Sequence, residues 1–286
     1  MGCHHLDAAM RCSHLRPVAI VESDASLHEA LEARYGIPVS DALPVALRTS
    51  VPDCAIVATP DSTHKAVADQ CLAYGLHSLV EKPLCTDPSD VSSLRTSFAE
   101  AGLVLATGLV ERFNPAWTAL ESLRSRLGAL RSIHIVRSGK PPRDLRSGPL
   151  LDLAVHDLDL LLRWDDTRSL VFEDCERDER SILLRMSQGS IPVELVASWD
   201  APAPTRTWIV QGEHGSARAD LRNHTLHWQE AGSPPMRMDT SGDDSLELEH
   251  SAFAAAVQGA RVPRFPDLES HLRAIEICQN VSSMPR

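Results

Sequence analysis

The first 110 residues alternate between strand and helix patterns, and this alternation constrains the fold more than any other feature. Short apolar runs that predict strands lie at 17–21, 54–58, 76–80 and 103–107. Helix patterns lie between them at 26–35, 63–74 and 87–101, and they end at Gly36, Gly75 and Gly102. Strands that alternate with helices form βαβ units around a parallel sheet. The sequence therefore predicts an α/β domain over residues 1–110.

The pattern changes in the remainder of the chain. One strand candidate lies at 132–137, and six more lie between residues 170 and 229, where short turns such as Gln188-Gly189 separate them. Helix patterns flank this region at 115–127, 150–164, 246–257 and 268–282. Residues 111–286 are therefore predicted to form an α+β domain with a large open, mainly antiparallel sheet.

The N-terminus has the spacing of part of a dinucleotide-binding motif. Gly2 leads into a helix pattern, and the strand at 17–21 ends in Glu22. A Rossmann unit places an acidic residue about 20 positions after its glycines, at the end of its second strand. By this interpretation the first strand of the unit is missing. The alternative is that Gly2 is an ordinary second residue and that the strand before Glu22 is unrelated.

Composition excludes several classes of protein. The net charge of −11 disfavours non-specific nucleic-acid binding. No apolar run approaches the ~20 residues of a membrane span, and the N-terminus has no signal-peptide pattern, so we expect a cytoplasmic protein. Seven scattered cysteines without a C-x-x-C spacing predict reduced thiols and no metal site.

Lysine is rare, with three in the chain: Lys65, Lys82 and Lys140. An ammonium can exchange its proton with a reacting group, whereas a guanidinium stays charged. Lys82 follows the strand at 76–80, and open α/β sheets bind ligands at this end of their strands. The next residue, Pro83, makes a cis peptide bond possible. Lys82 is therefore a candidate catalytic group, and the alternative is a surface lysine.

Two titratable residues lie four apart in the very apolar helix pattern at 150–164. Asp152 and His156 would share one face of this helix. Because such an apolar helix is expected to be buried, titratable groups on it either face a cleft or pair with each other. Histidine suits proton transfer near neutral pH. A purely structural Asp–His hydrogen bond is the alternative.

A group of basic residues precedes this helix pattern. Arg137, Lys140, Arg143 and Arg146 could clamp a phosphate or diphosphate, or they could form a solvated loop.

Five motifs, taken in order, resemble the signatures of the Gfo/Idh/MocA oxidoreductases. They lie at 18–22, 58–64, 80–84, 108–115 and 151–157. The sequence is similar to nucleotide-sugar and inositol dehydrogenase-like members of that family. One departure is that Gly2 alone represents the family's G-x-G-x-x-G, so we expect either an N-terminally truncated reading, which we favour, or a cofactor-poor pseudoenzyme.

The resemblance implies a fold and an activity. The fold would be a doubly wound Rossmann sheet, without its first strand, followed by the α+β domain. The activity would be NAD-dependent hydride transfer at a hydroxyl carbon of a sugar, nucleotide sugar or cyclitol, in a homodimer or homotetramer formed through the C-terminal sheet. The alternative is a non-catalytic sugar- or dinucleotide-binding regulator on the same fold.

The resemblance also implies residue roles. Lys82 would stabilise the developing alkoxide, His156 would act as general base, and Asp152 would orient the substrate or the imidazole. Glu22 would bind the adenosine ribose and favour NAD over NADP. The implied cofactor-binding residues are Gly2, Glu22, Thr59, Pro60, His64, Glu81 and Lys82, and the implied substrate-binding residues are Arg112, Asn114 and Arg143.

Overall fold

The structure is a computed structural model, and it describes residues 1–141, 148–165, 169–263 and 265–284. The chain forms two compact units. The first consists of Met1–Cys85, Ser89–Gly108 and Leu246–Leu268, and the second of Thr86–Pro88, Leu109–Ser245 and Glu269–Arg286. The domain boundary near residue 110 stays a prediction. In the structure, the late segment Leu246–Leu268 also belongs to the first unit.

The first unit contains the predicted parallel strands and their helices. In chain order these are α1 (Gly2–Arg11), β1 (Ile20–Val21), α2 (His28–Tyr35), β2 (Val39–Ser40), α3 (Leu43–Ala46), β3 (Cys54–Val57), α4 (His64–Ala73), β4 (His77–Glu81), α5 (Pro88–Glu100), β5 (Leu105–Gly108) and α8 (Ser245–Val257). All pairs are parallel, but the described strands form two separate sheets, β1-β2 and β3-β4-β5. The predicted Rossmann class is therefore confirmed, with the sheet in two parts.

Local chemistry explains most of the element ends in this unit. Gly36, Gly75 and Gly102 all have positive φ angles, which glycine adopts without the steric cost of a Cβ. Before the helix pattern that begins at 26, the Asp24 side chain acts as an N-cap and accepts the Ser26 N–H at 3.0 Å. The strand expected at 17–21 is confined to Ile20–Val21.

The second unit contains one sheet of eight described strands. Its elements are α6 (Pro115–Ser122), β6 (Leu130–Ser138), α7 (Val155–Trp164), β7 (Leu170–Arg177), β8 (Ser181–Gln188), β9 (Ile191–Ser198), β10 (Thr205–Gly212), β11 (Gly215–Asp220), β12 (Thr225–Glu230), β13 (Met236–Met238) and α9 (Glu269–Ser283). The strand order is β13-β12-β11-β10-β6-β9-β8-β7. Every described pair is antiparallel except β6–β9, which is parallel, so the prediction of a mainly antiparallel sheet is confirmed.

The two faces of this sheet differ in chemistry. Alternate side chains such as Ile135, Leu195 and Trp208 point to the inner face, where they join the core formed with α6, α7 and α9. Trp208 packs edge-on against Trp117 of α6, with ring centroids 4.8 Å apart. Burial of these large apolar side chains stabilises the unit by roughly 1.5–3 kcal/mol for each.

The opposite face, which we call the outer face, consists of half-buried and charged side chains. Val136 on β6 and Leu183 on β8 are both cross-strand neighbours of Val196 on β9. Beside this apolar patch, Arg185 and His134 both approach Glu194. The outer face is therefore partly apolar and partly charged.

Candidate active site

In the first unit, Lys82 lies where the sequence predicts a ligand site. It directly follows β4, the central strand of the three-stranded parallel sheet, at the carboxyl end where open α/β sheets bind ligands. Lys82 is half-buried, and the Lys82–Pro83 peptide bond is cis. Lys65 instead pairs on the surface with Asp69 at 2.8 Å, and Lys140 is exposed.

Glu81, a predicted cofactor-binding residue, is buried beside Lys82. One carboxylate oxygen, Oε1, lies 2.7 Å from Nε2 of His5 on α1. The other, Oε2, accepts the Lys82 backbone N–H at 3.0 Å. Both oxygens of Glu81 therefore contact groups of the first unit.

The loop predicted to line the cofactor cleft follows β3. Thr59 and Pro60 lie there, and the buried His64 begins α4. The His64 ring contacts two backbone carbonyls, that of Pro83 through Nδ1 at 2.7 Å and that of Thr59 through Nε2 at 2.9 Å. His64 thereby ties the loop after β3 to the loop after β4.

The residues that could hold a dinucleotide are at the start of α1 and the end of β1. The His4 and His5 N–H groups bond to the Met1 carbonyl, so the first-turn N–H groups of Gly2 and Cys3 precede the intrahelical hydrogen bonds. A Cβ added at Gly2 would meet no atom within 4 Å. Helix N-termini suit phosphate groups, so this donor set fits a pyrophosphate.

Glu22 has the chemistry of a ribose-binding residue. It follows β1 and is half-buried, and its Oε1 accepts the Asp24 backbone N–H at 2.9 Å. This bond orients the carboxylate. A carboxylate accepts hydrogen bonds from hydroxyls and repels phosphate, so Glu22 fits an unphosphorylated ribose.

In the second unit, Asp152 and His156 lie on consecutive helical segments rather than on one regular helix. Asp152 belongs to a π-helical stretch, Leu150–Ala154, and His156 to α7. The expectation of one regular α-helix over 150–164 is therefore wrong, because its first part is a π-helix with wider hydrogen-bonded turns. Both residues are half-buried, and Oδ2 of Asp152 accepts the indole N–H of Trp199 at 2.9 Å. Trp199 was not among the predicted site residues, although its indole bonds to one of them.

Two predicted substrate-binding residues belong to internal hydrogen-bond networks. Arg112 donates to both carboxylate oxygens of Asp159, at 2.7 and 2.6 Å, and to Ser270. Burial works against the charge on Asp159, but Arg112 outweighs it and holds the pKa of that carboxyl below its ordinary value. Asn114 caps α6 and donates to the Leu221 carbonyl. Their substrate roles stay predictions, and Arg143 lies outside the described residues, as does Arg146.

The interpretation of Arg137 as part of a basic loop is wrong. Arg137 is in β6, fully buried, and its Nε and Nη2 donate to the Asp157 carboxylate. Its Nη1 donates to Glu111 at 2.9 Å. Burial disfavours the charged forms of Arg137 and Glu111. The carboxylates of Asp157 and Glu111 nevertheless raise the pKa of Arg137. The guanidinium groups of Arg137 and Arg206 likewise lower the pKa of Glu111. This network holds β6 against α7 and cannot clamp a phosphate.

Alternation along β6 was the signal for this burial. Ile133 and Ile135 point inward, so Arg137, two residues further on, points to the same face. The strand predicted at 132–137 did contain Arg137, but its ionic partners are distant in sequence, and the basic residues that follow it suggested a loop.

The fold and these residues define an oxidoreductase with a Rossmann unit. Residues 1–109 match the Gfo/Idh/MocA profile, described as an oxidoreductase family with an NAD-binding Rossmann fold. The chain belongs to the Gfo/Idh/MocA family of oxidoreductases.

Two curated relatives align over most of the chain. UDP-N-acetylglucosamine 3-dehydrogenase of Acidithiobacillus ferrooxidans is 29% identical over 93% of this chain and 88% of its own length. Inositol 2-dehydrogenase of Rhodococcus erythropolis is 30% identical over 77% of this chain and 69% of its own.

Solved structures share the fold along nearly the whole chain. The structure of the A. ferrooxidans dehydrogenase, GnnA, superimposes with a TM-score of 0.83 at 27% identity, over 98% of this chain and 92% of that one. KijD10, a 3-ketoreductase from Actinomadura kijaniata in complex with TDP-benzene and NADP, gives a TM-score of 0.85 at 22% identity, over 98% and 92%. The latter likeness concerns the fold alone. In the described residues, no helix has the length and apolar character needed to cross a bilayer.

Proposed function

We propose that the protein is a dehydrogenase that interconverts a hydroxyl and a ketone on a nucleotide sugar, or on a related sugar or cyclitol. The observation that carries this proposal is the position of Lys82, a rare lysine at the carboxyl end of the central parallel strand. The family membership and the named activities of the two curated relatives support the substrate class.

The roles of the chain's own residues follow from their chemistry. The Lys82 ammonium would donate a hydrogen bond to the reacting oxygen and stabilise negative charge as it develops there. His156 would take the hydroxyl proton, since an imidazole titrates near neutral pH. Asp152 would orient the substrate or the imidazole, and Trp199 holds its carboxylate through Oδ2. A bound nicotinamide dinucleotide would supply the acceptor for the hydride that leaves the carbon.

Initial-rate measurements test the proposal. We expect oxidation of UDP-N-acetylglucosamine or of myo-inositol when either is supplied with NAD, measured as NADH absorbance. If no sugar in such a panel is turned over while NADH still quenches the tryptophan fluorescence, the dehydrogenase proposal is wrong and a non-catalytic binding protein is favoured.

We further propose that the cofactor is NAD rather than NADP, because of Glu22. Replacing Glu22 by Ser removes a carboxylate that would bond to the ribose hydroxyls and repel a 2′-phosphate. We expect the ratio of kcat/KM with NAD to that with NADP to fall at least about tenfold. The same ratio is expected for Glu29→Ser, a matched change at an exposed position of α2, as for the wild type. A preference unchanged in Glu22→Ser would contradict this assignment.

We also propose that two or four copies assemble through the outer face of the eight-stranded sheet. The apolar patch of Val136, Leu183 and Val196 supports this, since such a face is commonly covered in a complex. Val196→Arg would place a charge at its centre, so light scattering is expected to show a smaller particle than the wild type. Val45→Arg, at an exposed position of α3, is the control. A wild-type monomer would contradict the proposal.

A further inference from the structure

We propose that Glu81 is a positioning residue that fixes the main chain at Lys82, and that His5 and His250 hold Glu81 in place. The inference rests on the proposed function, because it assigns these residues a task in placing the catalytic lysine. Nothing in the sequence pattern connects His5 with His250, which are 245 residues apart.

Glu81 forms a hydrogen bond with the main chain of the residue after it. Glu81 is the last residue of β4, its side chain is 8% exposed, and its Oε2 accepts the Lys82 N–H at 3.0 Å. A hydrogen bond to a carboxylate is charge-assisted and stronger than one between neutral groups. This bond therefore fixes the direction in which the chain leaves the strand, and with it the origin of the Lys82 side chain.

Two buried histidines support Glu81 from behind. Oε1 of Glu81 lies 2.7 Å from Nε2 of the buried His5, one turn into α1 from Gly2. Nδ1 of His5 lies 2.9 Å from Nε2 of the fully buried His250 on α8, and the two rings are stacked. A row of three contacts thus runs from α8 through α1 to the main chain of Lys82.

The neighbouring strand confines Glu81 from another side. Gly108 of β5 is the register partner of Glu81, and a Cβ there would lie 3.2 Å from both Cα and Cδ of Glu81. A side chain at position 108 would therefore crowd Glu81. The glycine there leaves room for the observed orientation of the carboxylate. Glu81 is held by α1, by β5 and by Lys82 itself.

These contacts favour positioning over direct cofactor binding by Glu81. Each carboxylate oxygen is engaged by a group of the first unit, and the side chain is nearly inaccessible. The same row joins Lys82 to α1, the helix whose N-terminus fits a pyrophosphate. His5 therefore couples the helix that would bind the dinucleotide to the position of Lys82, through its contact with Glu81.

The shortage of lysine makes the proposal directly observable by NMR. Protein labelled with 15N-lysine gives one amide signal for each of Lys65, Lys82 and Lys140. The Lys82 signal is assigned by its loss in Lys82→Arg. Glu81→Leu removes both carboxylate oxygens at similar volume, so we expect the Lys82 signal to move and its amide proton to exchange about tenfold to a hundredfold faster.

Two further variants sharpen the test. Glu81→Gln keeps one acceptor and is expected to shift the Lys82 signal less than Glu81→Leu does. Glu100→Leu, a matched change at an exposed position of α5, is expected to leave all three signals in place. Should Glu81→Leu fail to fold, His250→Leu tests the row from its far end, and it is expected to move the Lys82 signal in the same direction by a smaller amount.

Kinetics separate this inference from the proposed function. With an active wild type, Glu81→Leu is expected to lower kcat about tenfold to a hundredfold with little change in KM, and Glu81→Gln to restore part of the loss. An unmoved Lys82 signal in Glu81→Leu overturns the inference, and so does a moved signal with wild-type kcat. If the wild type turns over no sugar, the proposed function fails, and the Lys82 signal alone decides whether Glu81 positions this residue.

Discussion

Replacement of Lys82 by Met is expected to lower kcat/KM by a factor of about a hundred to a thousand, because one donor to the developing alkoxide is lost. Lys82→Arg is expected to be almost as impaired. A guanidinium keeps the charge, but it is broader than an ammonium and does not exchange its proton at neutral pH. A loss in both variants would show that the reaction needs an ammonium and not simply a positive charge.

The structure supplies a matched control for the lysine. Lys65→Met removes a surface ammonium paired with Asp69 in the same unit, and it is expected to leave kcat/KM unchanged. Circular dichroism and the melting temperature should be nearly the same for all three variants, since Lys82 is half-buried at the end of a strand. Wild-type turnover by Lys82→Met would remove Lys82 from the mechanism.

Replacement of Arg137 by Met is expected to lower the free energy of unfolding by about 3–5 kcal/mol, the usual effect of removing one partner from a buried ion pair. The change leaves the carboxylates of Asp157 and Glu111 buried, each without its main cationic partner. Denaturant unfolding measures the effect as a lower midpoint at an unchanged slope.

Arg180 provides the control for this prediction. It pairs with Asp200 in the same unit, but the side chains are 45% and 52% exposed. Arg180→Met is therefore expected to change the unfolding midpoint far less than Arg137→Met does, since exposed ion pairs contribute little. Equal effects of the two substitutions would mean that the Arg137 network is not a main source of stability.

Features that depend on neighbouring residues could be predicted from the sequence. The alternation of apolar runs with glycine-terminated helix patterns predicted β3, β4, β5 and the helices between them. A lysine two positions after an apolar run predicted a ligand position at a strand end, which is where Lys82 lies. In each case the cause acts within about ten residues.

Features that depend on distant partners could not be predicted. Arg137 is buried because Asp157 and Glu111, 20 and 26 residues away, neutralise it, and the basic residues that follow it in sequence suggested only a loop. The contact between His5 and His250 depends on a return of the chain that no local pattern encodes. The short β2 and α3 were missed because elements of two and four residues have no periodicity to detect.

Helix α8 has a consequence for how the protein is made. Synthesis proceeds from the N-terminus, and early segments usually fold first. Here the first unit lacks the helix that carries His250 until the ribosome has produced residues 246–268, after nearly all of the second unit. Until then His5 and Glu81 lack the contact with His250, so the support for Lys82 is completed only after the strands of the second unit have been made.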